Sequence, residues 1–503
     1  MQATVKVDRR IYVAAAMLSL LLSLWSVWAQ FVPNPDALLY LRAAEQFTSG
    51  HWSDAIVTFR WPFYSLVIAA TMTVTGLKAF AAAEVVNVCL GIVTTVAFVG
   101  LVGRLSNGDR LTALCAAFVI LLQPQLAGDR PSIVRDNGYL AFLVLSLYLI
   151  ARDLEAPSIR GKLSIAVTIV ISGLFRIEGF AIAALALFYY PLQQPGGWKK
   201  PSLLIGIVVA CLALVPAAML WTSGELTFWM QGHYASDPVG RQWSYFATAI
   251  ANRLHDLKYD FLFPYGGGNE WGAYVGMVLG IVVVNVVRSL SIPLAILTVF
   301  AFYPKPVMPR PASRFVLWFA LAQLPMLFAL AFVMLFLDKR YAVGMVVVVD
   351  IALAFLLAEA IRHWRTDVLA RIFTPIAAVT LIAVFAFAVP TPSKLGYLKE
   401  AGEWIGATLP RPATIVTNDA RMVYFSGRPY GEVLVWPYGP KSTPTDADMT
   451  AFDYFAFDVT DPSELPPKLA ELQAKELVRS FPGKNGRSVF IYKQTRPTAA
   501  RGG

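Results

Sequence analysis

Asp36 lies in the segment Pro33-Asn34-Pro35-Asp36-Ala37-Leu38-Leu39-Tyr40, where Pro35 fixes the start of a short helix and Leu38, Leu39, Leu41 and Phe47 give that helix one apolar face. An acceptor hydroxyl is a poor nucleophile near neutral pH, and a carboxylate held at such a position can take its proton in a transition state. The same carboxylate can instead cap the helix and favour its positive end. Four arginines, Arg60, Arg135, Arg176 and Arg340, each sit where a polar break meets an apolar block. Guanidinium groups there can hold a phosphate and offset the charge that develops on a departing anion, or they can snorkel and form ordinary ion pairs. Tyr64 and Tyr341 stand near two of them, Asp136 follows Arg135, and Glu178 lies two residues after Arg176. His233 with Asp136 is a candidate donor pair for a divalent metal ion, although an Asp and a lone His without fixed spacing can equally be unrelated.

These residues must be positioned by a mostly apolar chain. Of 503 residues, 57% are hydrophobic and only 15% charged, against the ~45–50% and ~25% of soluble domains. The apolar residues fall into blocks of bilayer-spanning length, which excludes an ordinary soluble globular protein. The net charge of +10 resides mainly in the gaps between blocks, so it reads as topology rather than as a nucleic-acid surface. Cys89, Cys115 and Cys211 lie inside apolar blocks without CxxC spacing, which argues against a disulfide framework.

Block Ile11 to Ala29 reads as a retained first span with the N-terminus cytoplasmic. Further blocks occur at 63–77, 80–103, 111–128, 137–151, 163–175, 178–192, 201–221, 272–303, 315–337, 341–361 and 372–390. Basic gaps Arg104 to Arg110, Arg152 to Lys162, Lys199-Lys200, Lys305 to Arg314 and Arg362 to Arg371 should face the cytoplasm together. That requires one net crossing over 63–103 and one over 272–303. The expected fold is an all-α polytopic membrane bundle of about 11–13 transmembrane helices with juxtamembrane helices on its outer face. Residues 1–390 form the transmembrane domain, and 391–503 a small extracytoplasmic α/β domain.

In that small domain, residues 414–416 and 488–492 read as strands and 467–479 as an amphipathic helix. Loops 31–62 and 223–271, the latter rich in Trp, Tyr and Gly, are expected to form a cleft on the outer side. The absence of Walker A, GxGxxG and HExxH sequences removes support for a nucleotide cofactor.

The order of the patterns is informative: a first span, the Asp36 loop with its Ala-x-x-Tyr helix, Gly50-His51-Trp52, Arg60-Trp61-Pro62-Phe63-Tyr64, then Pro131 to Asp136, Phe175-Arg176-Ile177-Glu178-Gly179, Lys339-Arg340-Tyr341, and Tyr424-Phe425-Ser426-Gly427-Arg428. In this order the chain resembles the GT-C superfamily of membrane glycosyltransferases, in its protein O-mannosyltransferase and aminoarabinose transferase branch. It departs from the pattern in having Ala37 rather than a second acid after Asp36, and in lacking a Glu-Lys pair around Arg60-Trp61-Pro62.

The resemblance implies a sugar donor linked to a polyprenyl phosphate, transfer without a nucleotide on the outer side of the cytoplasmic membrane, and a lipid, glycan or protein acceptor. It makes Asp36 the catalytic carboxylate. Arg60, Arg176, Arg340, Tyr341, Tyr64 and Arg135 would hold substrate and phosphate, Glu178 would shape the site, and an acid at the place of Asp136 would help bind a divalent metal. Two other classes remain open on the residues alone. A lipid or saccharide transporter or flippase would need a polar path through the bilayer, and a polysaccharide polymerase or ligase would carry its chemistry in late loops.

Overall fold

The computed structural model describes residues 8–180, 248, 250–262, 268–290, 293–294, 308–428, 432–435, 452–460, 476–484 and 486–494. The expected spans at 201–221 and over most of 178–192, the later part of the 272–303 block, and most of loop 223–271 with His233 lie outside the described residues.

Among the described residues, seven segments are long and apolar enough to cross a membrane. They are α1 (Arg9–Ala29), α5 (Ala79–Leu105), α8 (Arg135–Glu155), α10 (Glu270–Leu290), α11 (Arg310–Met334), α12 (Val343–Arg362, with the 3-10 turn before it) and α13 (Val368–Ala388). Shorter helices stand between them: α2 (Pro35–Thr48), α3 (Trp52–Thr58), α4 (Phe63–Thr75), α6 (Arg110–Leu122), α7 (Pro124–Asp129) and α9 (Ile159–Phe175). The chain is thus a multi-pass membrane protein built from a helical bundle.

Residues 63–103 form two helices. Gly76, at φ 71, closes α4 with a left-handed turn that a side chain would strain. Tyr64 Oη donates to Asn87 Oδ1 at 2.8 Å, so α4 runs back along the first part of α5 and the remainder of α5 continues without it. The block at 111–128 is also divided. Pro124 has no N–H to continue α6, and Gln123 turns its side-chain oxygen to accept from Gln125 N at 2.6 Å, starting α7.

The bundle has two chemically distinct ends. At one, Arg104 pairs with Glu155 at 2.5 Å, Arg362 with Asp109 at 2.5 Å and Arg110 with Asp8 at 3.7 Å. At the other, the end of α1, helices α2 and α3, the start of α8 and the end of α9 converge. The core between them is dense in small and aliphatic residues, among them Ala82, Ala83, Ala97, Leu101, Ala116, Ala141 and Ala166, none more than 5% exposed. Small side chains let helix backbones approach closely where lipid supplies no hydrophobic drive.

The C-terminal domain attaches at this second end. Ser393 N donates to Ala29 O at 2.7 Å and Trp25 Nε1 to Pro390 O at 3.1 Å. Helices α14 (Gly396–Thr408) and α15 (Ala420–Ser426) pack with a five-stranded sheet. Its strands are β1 (Ile415–Thr417), β2 (Val433–Val435), β3 (Tyr454–Val459), β4 (Glu476–Pro482) and β5 (Ser488–Lys493), in the order β2-β1-β3-β5-β4. β1 is parallel to β2 and β3, whereas β5 is antiparallel to β3 and β4. The strands expected near 415 and 490 are therefore present.

The helix expected over 467–479 is corrected at its C-terminal end. Residues 476–479 open β4, an exposed edge strand in which Phe481 alone is buried. Pairing with β5 supplies backbone partners that a short surface helix could not match there. Residues 467–475 lie outside the described residues.

Candidate active site

The first loop is anchored before it does anything else. Asn34 accepts from Ile133 N at 2.8 Å and donates to Ile133 O at 3.4 Å, clamping the start of α2 to the segment that leads into α8. Pro35 begins α2, Asp36 falls in its first turn, and the Asp36 carboxylate faces a separate element. Arg340 Nη1 donates to Asp36 Oδ2 at 2.9 Å. Arg340 is in turn fixed by Asp338, which accepts from its Nε at 3.2 Å and from its backbone N at 2.9 Å, capping the 3-10 turn Lys339–Ala342. The Asp36 and Asp338 carboxylates thus face the Arg340 guanidinium from two elements.

A second arginine lies deeper. Arg176 leaves α9 in extended conformation and is 5% exposed. Its Nε and Nη2 donate to Glu178 at 3.2 and 2.6 Å, and its Nη1 donates to Asp136 Oδ1. Its guanidinium lies 4.4 Å from the centre of the Tyr341 ring. Burial opposes this charge, yet the bonds to Glu178 and the charges of Asp136 and Glu178 hold Arg176 well above its usual value. Burial would raise Glu178, but Arg176 overrides it and keeps the carboxyl below the usual carboxylate range. Gly179 makes the compact turn possible, because a Cβ there would collide with the backbone of Ser172 and Gly173.

Tyr40 joins the two halves. Burial pushes its hydroxyl up to about 12, and Arg135, Asp136, Asp36 and Arg340 all act on it. It is therefore a neutral phenol at physiological pH, set against Phe59 and Tyr64 with ring centres 4.7 and 5.2 Å away. Arg135 lies 5.7 Å from the Phe59 ring centre. Asp129, at the end of α7, is pushed by burial up to about 6, with Lys339 and Arg340 pulling it down and Asp136 pushing it further up.

The structure thus brings together Asp36, Arg340, Tyr341, Asp136, Arg176 and Glu178, with Arg135 at the edge. Arg60 is exposed, and among the described residues no hydrogen bond or ion pair joins it to the cluster. Tyr64 is fully buried, with its hydroxyl on Asn87, so it stands behind the cleft rather than in it. Tyr40, Asp129, Asp338 and Lys339 adjoin these residues and were not among the sequence candidates. The Ala-x-x-Tyr spacing was a signal for Tyr40. For Asp129, only the loop contacts to residues two hundred positions away reveal the role.

No protein-family model matches the sequence, and no curated protein matches it. Solved structures do. ArnT from Cupriavidus metallidurans, bound to undecaprenyl phosphate, matches with 13% identity, 96% of this chain and 97% of that one, at a TM-score of 0.50. The chain has the GT-C fold. An oligosaccharyltransferase from Archaeoglobus fulgidus, in complex with Zn and sulfate, matches with 13% identity over 89% of this chain and 68% of that one, also at a TM-score of 0.50.

A zinc-holding neighbour of the same GT-C fold makes the metal question concrete. Among the described residues no three His, Cys, Asp or Glu side chains are grouped to hold a metal. The donor chemistry points the same way, because Asp136 and Glu178 are bonded to Arg176, and Asp36 to Arg340. Each of these carboxylates already faces a guanidinium, and no third donor joins them among the described residues, so the described donors do not fit a divalent ion. The other candidate ligand, His233, lies outside the described residues.

Proposed function

We propose that this protein is a membrane glycosyltransferase that moves a sugar from a polyprenyl-phosphate donor to an acceptor hydroxyl on the outer side of the cytoplasmic membrane. The observation that carries the reading is the ion pair between Asp36 of the first loop and Arg340 of a late turn. It sits in one cluster with Asp136, Arg176 and Glu178, at the end of a GT-C bundle opposite its basic turns. The undecaprenyl phosphate bound by ArnT supports a lipid-phosphate donor here, and the cluster supplies the charge such a donor needs.

In this mechanism the acceptor oxygen forms a bond to the anomeric carbon while the bond from that carbon to the phosphate oxygen breaks. The acceptor proton passes to the Asp36 carboxylate, and the polyprenyl phosphate leaves with the electron pair. Arg340 orients Asp36, and its exposed face together with Arg135 offsets the charge on the departing phosphate. Arg176 has its donors committed to Asp136 and Glu178 and holds the Tyr341 ring as the wall beneath. Tyr40 supplies a neutral hydroxyl to a substrate oxygen. The bundle, with residues 1–390, supplies the cleft, and the domain from 391 onward closes the same side.

The test is release of free polyprenyl phosphate from a panel of polyprenyl-phosphate sugars by the purified protein. Asp36→Asn preserves shape and the Arg340 contact but cannot accept a proton, so turnover should fall by about 10²–10⁴-fold with an unchanged melting temperature. Turnover retained in that variant rejects the role of Asp36. Lack of release from every donor rejects the donor class.

A further inference from the structure

A second cation sits in the bundle away from the cleft. Arg130 follows α7 and projects between α1 and α5, where its Nη1 donates to Ser23 Oγ at 3.1 Å, Ser19 Oγ at 3.2 Å and Ser19 O at 3.3 Å. Ser19 and Ser23 are themselves buried and one helical turn apart, so α1 presents a hydroxyl pair to the guanidinium. Arg130 Nε is buried and has no hydrogen-bond partner. Beside it is a cavity of about 30 Å³ lined by Arg130, Asn87, Gly91, Thr94, Thr95 and Asn137. No carboxylate lines it, and among the described residues none forms an ion pair with Arg130. In this respect Arg130 is the opposite of Arg176 and Arg340, each of which carries its own carboxylates.

Burial pushes the Arg130 guanidinium down only to about 10, which leaves it charged at neutral pH. The guanidinium is half-buried with no carboxylate beside it, so its charge is only partly hydrated, and the buried Nε–H adds the penalty of an unmade bond. Hydroxyl oxygens offer dipoles to the cation but no charge. The cavity holds a few water-sized groups at most. A Cβ at Gly91 would stand at ordinary contact distance, 3.4 Å from Ser23 Oγ and 3.6 Å from Arg130 Nη1, and would take up space that glycine leaves beside the guanidinium.

We infer that the cavity beside Arg130 is a binding site for a small monovalent anion of halide size, which neutralises the guanidinium and locks α1 and α5 to the segment between α7 and α8. No residue of the Asp36, Asp136, Arg176, Glu178 and Arg340 cluster lines the cavity, and its test is read by melting and anomalous scattering rather than by any glycosyltransferase activity. The full-length protein in detergent is melted in chloride and in gluconate buffers of equal ionic strength. The melting temperature should rise by a few degrees, saturably, between zero and about 200 mM chloride.

Arg130→Gln should abolish the chloride dependence, and Gly91→Ala, which narrows the cavity but keeps the guanidinium, should weaken it by tenfold or more in apparent affinity. Bromide soaked into crystals of the wild-type chain should give an anomalous peak beside Arg130 Nε, a readout that survives if Arg130→Gln fails to fold. Equal melting in the two buffers, chloride dependence retained in Arg130→Gln, or bromide absent from the cavity would each overturn the assignment. Stabilisation by phosphatidylglycerol without any by chloride would also overturn it, because the Arg130 partner would then be a lipid phosphate.

Discussion

Arg176 and Arg340 have the same charge and each pairs with two carboxylates, but they differ in exposure, at 5% and 34% of their side chains. That difference separates structure from chemistry. Removing Arg176 leaves Asp136 and Glu178 buried and facing each other unpaired, a loss of about 3–5 kcal/mol. Arg176→Met should therefore lower the melting temperature and membrane yield sharply. Arg340→Gln leaves Asp36 half in solvent, so the fold should survive while turnover falls by about 10²-fold or more. Thermal melting of both variants beside the polyprenyl phosphate assay checks this, and equal stability losses would refute the division of roles.

Asp129 tests the same electrostatics through pH. Its folded value is about 6, against about 3.9 unfolded, so the folded chain binds the proton more tightly. The stability this group contributes is fully present below about pH 4 and is lost as pH rises through about 6. Asp129→Asn should match the wild type at pH 4 and be more stable by roughly 2–3 kcal/mol at pH 7.5. Melting curves across that range decide it, and a difference that grows toward low pH would be the wrong sign.

At the level of elements, the site depends on how α2 is entered. Asn34 makes both of its hydrogen bonds to one residue, Ile133, just before Arg135 and Asp136. Two carboxylates on different helices are thereby set in register by a single amide. Asn34→Ala should cost about 1–2 kcal/mol and lower turnover tenfold or more with little change in membrane insertion. A comparison of kcat and KM checks it, because misplacement of Asp36 should act on kcat.

Sequence made the ingredients of this arrangement legible. Asp36, Arg135, Asp136, Arg176, Glu178, Arg340 and Tyr341 are all conspicuous as ionisable or aromatic residues at the edges of apolar blocks. The Arg176–Glu178 pair was legible from its spacing, but which arginine meets Asp36 was not, because Asp36 and Arg340 are separated by three hundred positions and the contact is made by packing alone. Local signals misled where tertiary partners decide. Residues 476–479 carry a helical pattern but pair with β5. The break at Gly76 fell where the blocks 63–77 and 80–103 were already divided, whereas the break at Gln123-Pro124 lay inside the block 111–128, whose length alone gave no sign of it.

Across the whole molecule, charge is sorted by end. Basic turns meet acidic partners at one end, through Arg104, Arg110 and Arg362. The carboxylate-arginine cluster and the C-terminal domain occupy the other. α13 connects the two ends directly, running from Asp367 near the basic turn to Val389, just before the attachment of the small domain at Ala29. Its 21 residues span roughly 30 Å at ~1.5 Å per residue, one bilayer core. We propose that the end rich in lysine and arginine faces the cytoplasm, which would put the cluster on the outer side that the proposed reaction requires. Cysteines placed at Thr366 and Ser393, in a chain whose own Cys89, Cys115 and Cys211 are replaced by serine, should then differ. A membrane-impermeant maleimide should label Ser393→Cys in intact cells and Thr366→Cys only after the membrane is opened. Labelling of both from the same side would contradict a crossing by α13, and the reversed pattern would put the cluster in the cytoplasm and remove the basis for an outward-facing reaction.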